Sequence, residues 1–252
     1  MSAPVIAVEN ARRSPSLLSE GVEFIDVRTG LRCVVDTPRR RPELWRAYLD
    51  GVDQAYRAWG VDEAFEREQV ADGRSTTLFC VVVDGGEGDG GKVVAGHRTQ
   101  GPYLAAAQSH ALIEWAGQAG QRLVADAIED RLSGGLAEVK SAYVEVHDAR
   151  AGAVANLLSR VLPIVMELVG VRYMMATAAD HVLARWSEGG GVLDDTVPAT
   201  PYPDDRYRTR LMFWDRERLA VDAAPDVWPL MEDDFRRAFG AGNKHSTDAI
   251  TM

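Results

Sequence analysis

The sequence predicts a mixed α/β fold, a central mixed sheet flanked by helices, and three observations carry that prediction. Apolar residues recur at helical spacing in the segment opened by Pro42. Two runs rich in β-branched and aromatic residues flank a loop of glycines and acids at 85–91. Beyond residue 136, strand-like and helix-like runs alternate, the pattern of a layered sheet with helices packed on it.

Taken in order, residues 1–20 are rich in Ser, Pro and Arg without periodicity, and residues 241–252 are small and polar. Both ends are therefore expected to be loose around a single domain over 21–240. A short apolar run at 31–35 reads as a strand. Over 43–59, Leu44, Tyr48, Val52, Ala55, Tyr56 and Trp59 share one helical face. The runs 76–84 and 92–99 read as a β-hairpin, and 105–131 as helical with a break near Gly117 to Gly120, stopped by Ser133-Gly134-Gly135. A strand follows at 136–147, then a helix at 151–169 kinked at Pro163 and closed by Gly170. A strand at 171–177, a helix at 179–188, a strand at 207–215 and a short helix at 228–239 complete the chain. Phe213 and Trp214 read as either core or interface aromatics.

Bulk composition narrows the function classes. The chain has 252 residues, 46% hydrophobic and 26% charged, enough to build a substantial core. It has no run of about eighteen uninterrupted apolar residues, and its first residues lack the charged start and apolar run of a signal peptide, so a soluble cytoplasmic protein without membrane insertion is expected. A formal charge of −10 and a pI near 5.0 argue against a nucleic-acid partner, whose binding depends on neutralising phosphates. The run Arg39-Arg40-Arg41, with Arg12-Arg13 upstream, reads as solvated basic surface or as a dock for an acidic carrier protein or a phosphate. Cys33 and Cys80 stand outside any Cys-x-x-Cys or Cys/His cluster, so both are expected to be small buried hydrophobes. The pairs Asp194-Asp195 and Asp204-Asp205 lack cation-loop spacing and read as loop acids, so no metal is expected.

The most informative stretch is 138–191. Its strand runs into His147-Asp148-Ala149-Arg150-Ala151-Gly152-Ala153-Val154-Ala155, where a helix begins among small residues. The unpaired amides and positive dipole end of a helix start suit a phosphate or diphosphate, and the same small residues also serve tight packing. No Gly-Lys-Ser/Thr follows, which weighs against a nucleotide-binding P-loop.

This stretch resembles the GNAT acyltransferase superfamily, whose members carry Arg-Gly-x-Gly-x-Gly/Ala between a strand and a helix; here Arg150 to Ala155 has alanines at glycine positions. Gly170, the strand after it and the helix ending Trp186-Ser-Glu-Gly-Gly190 are similar to the tail of the same family, with Trp186 where the family often has a tyrosine acid. Over about 44–215 the resemblance narrows to the branch of autoinducer synthases and N-acyl amino acid synthases. It is carried by Asp72-Gly-Arg-Ser75, Val93-Val-Ala-Gly96-His-Arg98 and Glu138-Val-Lys140-Ser141; the last keeps the glutamate of that branch's Glu-x-Ser-Arg but not its arginine.

The resemblance implies a GNAT-like fold and an N-acyltransferase that moves an acyl group from an acyl-CoA or acyl-carrier-protein thioester to a small, amino-acid-like amine. The alternative is a non-catalytic GNAT-like module that binds an acyl thioester or a protein partner. Thioester aminolysis needs a base for the amine, a donor for the oxyanion and positioning. Strand alternation places Glu138, Lys140 and Ala142 on one face, and Ser141, Tyr143, Glu145 and His147 on the other. Glu145 and His147 then stand as a proton relay or as ordinary surface groups, with the Val146 amide polarising the carbonyl. Glu138 is expected to bind the acceptor before acting as a base. Arg98 is expected to hold an acceptor carboxylate or face solvent, and Tyr143 and Trp186 to line the substrate or the core. The same reading turns on whether the strands at 136–147 and 171–177 part beside Arg150: an open wedge admits a pantetheine arm, and a continuously paired ladder leaves it no place.

Overall fold

The computed structural model describes residues 21–86, 90–145 and 149–240. Strands β1 (Val22–Ile25) and β2 (Arg32–Asp36) form a first hairpin, of which sequence reading found only the second strand. β1 is short and only partly apolar, a weak periodic signal. Helix α1 (Pro42–Ala58) starts on its proline, where the missing N–H costs nothing, and buries Leu44, Trp45, Tyr48, Leu49 and Val52. Each of those side chains contributes about 1.5–3 kcal/mol on leaving water. After the short α2 (Arg67–Val70) come β3 (Leu78–Asp84) and β4 (Lys92–Gln100), the expected hairpin.

The expected helix over 105–131 is broken into a four-residue α3 (Ala111–Glu114) and α4 (Gln121–Leu132). Gly117, at φ 75, turns the chain between them. β5 (Leu136–Val144) leads to α5 (Ala151–Arg160) and α6 (Leu162–Val169). The expected kink at Pro163 is a full interruption at Val161, with the proline in the first turn of α6, where no amide is required of it. Gly170 then stops α6 in the left-handed region, at φ 75. β6 (Tyr173–Ala179), α7 (Leu183–Glu188), β7 (Val192–Leu193), β8 (Thr209–Asp215), α8 (Leu219–Asp222) and α9 (Trp228–Gly240) follow.

The strands form one sheet in the order β1-β2-β3-β4-β5-β6-β8-β7. Among the described residues only β5 and β6 run parallel; every other neighbouring pair is antiparallel. On one face, α5, α6 and α9 cover Cys33, Cys80, Ala137, Met174 and Trp214. On the other, α1 covers Phe79, Val81 and Tyr143, and α3 with α4 cover Leu136, Met175 and Phe213. Phe213 and Trp214 are thus core residues. The apolar stretch Ala151–Val169 has the length and hydropathy of a membrane span, yet it is mostly buried against this sheet.

Two local features bear on the sequence reading. Arg40 and Arg41 both reach Asp36, and Arg41 also reaches Glu23, so the basic run is tied to local carboxylates. Cys33 and Cys80, on adjacent strands, are fully buried as expected, with their sulfurs 3.6 Å apart.

A buried ion cluster ties the helical face together. Arg160 is inaccessible to solvent and donates to Asp26 at the end of β1, to Asp234 of α9 (2.8 Å) and to Asn156 (3.2 Å). One guanidinium faces two carboxylates, and burial with the nearby Asp26 charge pushes Asp234 up to about 6, against the opposing pull of Arg160.

Candidate active site

The site is organised by a bulge in β5. Gly96 of β4 lies opposite Tyr143, and Arg98 opposite Lys140, so the single residue His97 faces both Ser141 and Ala142. Ser141 takes up the extra length at φ 52, in the left-handed region. The bulge resets the alternation, which corrects the sequence reading: Tyr143 lies on the same face as Glu138 and Lys140. It packs on Tyr48, with ring centroids 5.9 Å apart. A Cβ at Gly51 would overlap the Tyr143 ring, so glycine is what lets α1 sit this close.

Just below the bulge the sheet opens. β5 and β6 pair only from Leu136 opposite Tyr173 to Val139 opposite Ala176, and the rest of both strands diverges. A cavity of about 190 Å³ fills the gap on the α1 face. Val139, Lys140 and Ser141 line one wall, Thr177 and Ala179 the other, His110 and Glu114 the floor, with Tyr56, Tyr202 and Tyr207 around the rim. Arg206, in the loop before β8, donates to the Gly60 carbonyl at 2.7 Å and joins the two loops that frame the opening.

The polar groups beside this cavity form one network. Glu138 is wholly buried and accepts from Tyr103 Oη (2.5 Å), Ser109 Oγ (3.1 Å), the His110 amide (3.2 Å) and Lys140 Nζ (3.5 Å). Glu114 accepts from His110 Nδ1 (2.9 Å), Thr177 Oγ1 (3.0 Å) and Lys140 Nζ (3.2 Å). Burial pushes the Glu114 carboxyl up, but the Lys140 charge and the His110 and Thr177 hydrogen bonds outweigh it and hold the group below the usual range. Burial lifts Tyr56 to about 12, with Glu114 raising it and Arg98 lowering it, which sets both charges close to the rim.

Arg98 does not face solvent. It is 7% exposed on the same face as Lys140, and its Nε and Nη1 are buried without a hydrogen-bond partner. Glu145 is paired with Lys92 at 2.6 Å, beyond Tyr143 and away from the cavity. Val146 and His147 lie outside the described residues. Trp186 sits on the opposite face of the sheet, against His97 (6.4 Å) and Trp214 (5.7 Å). At the start of α5, Ala151, Gly152, Ala153 and Ala155 are half-buried and Val154 is buried, while Arg150 pairs with Asp84 at 3.0 Å. Asp194 and Asp204 bond to Thr196 and Arg206, and no metal-holding cluster occurs among the described residues.

Sequence reading missed His110, Glu114, Thr177, Tyr56 and Tyr202 as site residues. The available signal was the i, i+4 spacing of His110 and Glu114, which places two side chains together on a helix. A helical reading of 105–131 with its break near Gly117 to Gly120 gives that turn no mark of its own.

A mixed sheet that parts between the parallel strands β5 and β6, with a helix beginning among small residues after the first of them, defines a protein of the GNAT fold. The chain belongs to the same family as Rv1356c of Mycobacterium tuberculosis (strain ATCC 25618 / H37Rv) and Mb1391c of Mycobacterium bovis. Both are uncharacterized proteins, 44% identical to this chain over 206 residues, covering 82% of it and 77% of each relative. No protein-family model matches the chain. Among solved structures it is similar to FeeM, an N-acyl amino acid synthase from uncultured soil microbes, with TM-score 0.53, 15% identity and coverage of 80% of this chain and 99% of that one. It is also similar to BjaI, a CoA-dependent acyl-homoserine lactone synthase solved with SAM and isopentyl-CoA, with TM-score 0.50, 14% identity and coverage of 86% and 90%. At these identities the likeness concerns the fold.

Proposed function

We propose that the protein is an N-acyltransferase that passes an acyl group from an acyl-CoA or acyl-carrier-protein thioester to a small, amino-acid-like amine. The carrying observation is the gap in the sheet: β5 and β6 stop pairing after Val139 and Ala176, and a polar cavity occupies the space. A pantetheine arm is an extended chain with two amides, and parted strand edges offer it unpaired backbone groups. The start of α5 lies on the far side of the gap and supplies a dipole and first-turn amides for the donor's phosphates. Arg150 adds charge there, as does Arg185, whose guanidinium comes within 3.5 Å of where a Cβ on Gly152 would stand. The acceptor takes the cavity on the α1 face, so the reacting atoms meet in the gap between the strands. The donors this reading requires are made in the cytoplasm, which is where we place the protein.

The test is to incubate the protein with acetyl-, hexanoyl- and palmitoyl-CoA, and the matching acyl carrier proteins, against a panel of amino acids while following free thiol. Amine-dependent thiol release is the expected result. No release with any donor overturns the proposal, and donor binding without release identifies a binding module instead.

Arg98 provides a sharper prediction. Its unpartnered guanidinium suits the carboxylate of an amino-acid acceptor. Arg98→Met is expected to raise KM for such an acceptor by about 10- to 150-fold, the 1.5–3 kcal/mol of a charge-assisted hydrogen bond, and to leave kcat/KM for the decarboxylated amine within about threefold. Equal losses on both acceptors would remove Arg98 from carboxylate recognition.

A further inference from the structure

We propose that His110 is the general base that takes the proton from the acceptor amine, and that Glu114 is the residue that positions it. The inference rests on the acyltransferase reading and adds to it a group that the resemblance does not supply.

Three observations lead to it. First, His110 Nδ1 lies 2.9 Å from Glu114 Oε1. An ionised carboxylate only accepts hydrogen bonds, so Nδ1 must carry a proton, and the neutral ring keeps its lone pair on Nε2. Second, the ring lines the cavity, its side chain is 32% exposed, and no hydrogen bond reaches Nε2 from the described residues. Third, the ring is fixed in place. The His110 amide donates to Glu138 at 3.2 Å, and Tyr202 packs edge-on against the imidazole with centroids 6.0 Å apart.

The other carboxylates are poorly placed for this task. Glu138 is saturated by four donors behind the cavity wall, and Glu145 is paired with Lys92 beyond Tyr143. Charged and titratable groups that share the cavity with the imidazole come from the elements around it: Glu114 from α3, Lys140 from β5, Tyr56 from α1, and Tyr202 and Tyr207 from the loop before β8, with Glu138 of β5 accepting the His110 amide.

The step balances without a further reactant. The amine nitrogen attacks the thioester carbonyl carbon as Nε2 accepts one N–H proton. The C–S bond then breaks, and the departing thiolate takes a proton from the imidazolium, which restores the neutral ring. Lys140, held at the cavity wall by Glu114 and Glu138, faces the same space as the developing oxyanion.

Two measurements test the proposal. Long-range ¹⁵N–¹H NMR of the imidazole at neutral pH is expected to show the Nδ1-protonated tautomer, and an Nε2-protonated ring would overturn the assignment. In the thiol-release assay, with the donor that turns over best, His110→Ala and His110→Gln are expected to lower kcat about 100-fold or more. Donor Kd should stay within about twofold, and added imidazole should restore part of the rate of the alanine variant. Glu114→Gln is expected to move the acid limb of the pH–kcat profile to lower pH, because losing the adjacent carboxylate makes the ring easier to deprotonate. A purely structural role would lower kcat and leave that limb in place. Wild-type turnover with both His110 variants unimpaired overturns this inference alone. A wild type that releases no thiol with any donor overturns the acyltransferase reading, and this inference with it.

Discussion

Glu138→Ala is expected to destabilise the fold by about 3–5 kcal/mol, the cost of breaking a buried charge pair, and to remove activity in whatever fraction stays folded. Glu138 accepts from a phenol, a hydroxyl, an amide and an ammonium in a place that water does not reach. Removing it orphans Tyr103, Ser109 and the His110 amide together and leaves Lys140 with Glu114 alone. Glu138→Gln keeps an acceptor but turns an amide NH₂ toward some of the same donors, so a smaller loss is expected. Urea denaturation of the two variants beside the wild type measures the difference. An alanine variant within about 1 kcal/mol of wild type would mean that water or another acceptor takes over the role.

Arg160→Met is expected to cost a similar 3–5 kcal/mol, because it leaves Asp26 and Asp234 facing each other in the core without a cation. The cluster also gives stability a pH dependence whose sign follows from Asp234. Its folded pKa, near 6, is above the ordinary carboxylate value of 3.8, so protonation favours the folded state. The Asp234 contribution is therefore complete below about pH 4 and disappears as pH rises through about 6. Thermal unfolding between pH 5 and pH 7 is expected to show this contribution in the wild type and to lose it in Asp234→Asn. A variant with the unaltered pH dependence would place the titration elsewhere.

Much of the fold was legible because periodicity and punctuation agree. Pro42 opens α1, Gly170 closes α6, and the alternation after residue 136 gives the strand–helix order. β1, β7 and α8 were not anticipated; each has four residues or fewer and gains its order from neighbours, so the local sequence holds little signal. The site was less legible, and the bulge shows why. Strict alternation separates Tyr143 from Glu138, whereas Ser141 inserts one residue and brings them to one face, a choice settled by pairing with β4. Arg98 was legible as a β4 residue, but its burial without a partner follows from how α1 and β5 pack around it. Glu114 ends a helix of only four residues and His110 stands just before it, too short a stretch for a periodic pattern to isolate.

The central claim is that the thioester arm enters between β5 and β6. Amide hydrogen exchange with and without a turning-over acyl-CoA tests it most directly, read along residues 140–144 and 177–179, where the strands have parted. Slower exchange concentrated in those two segments and in the first turn of α5 is the predicted result. Protection confined to some other surface, with the parted strand ends unchanged, would contradict the claim.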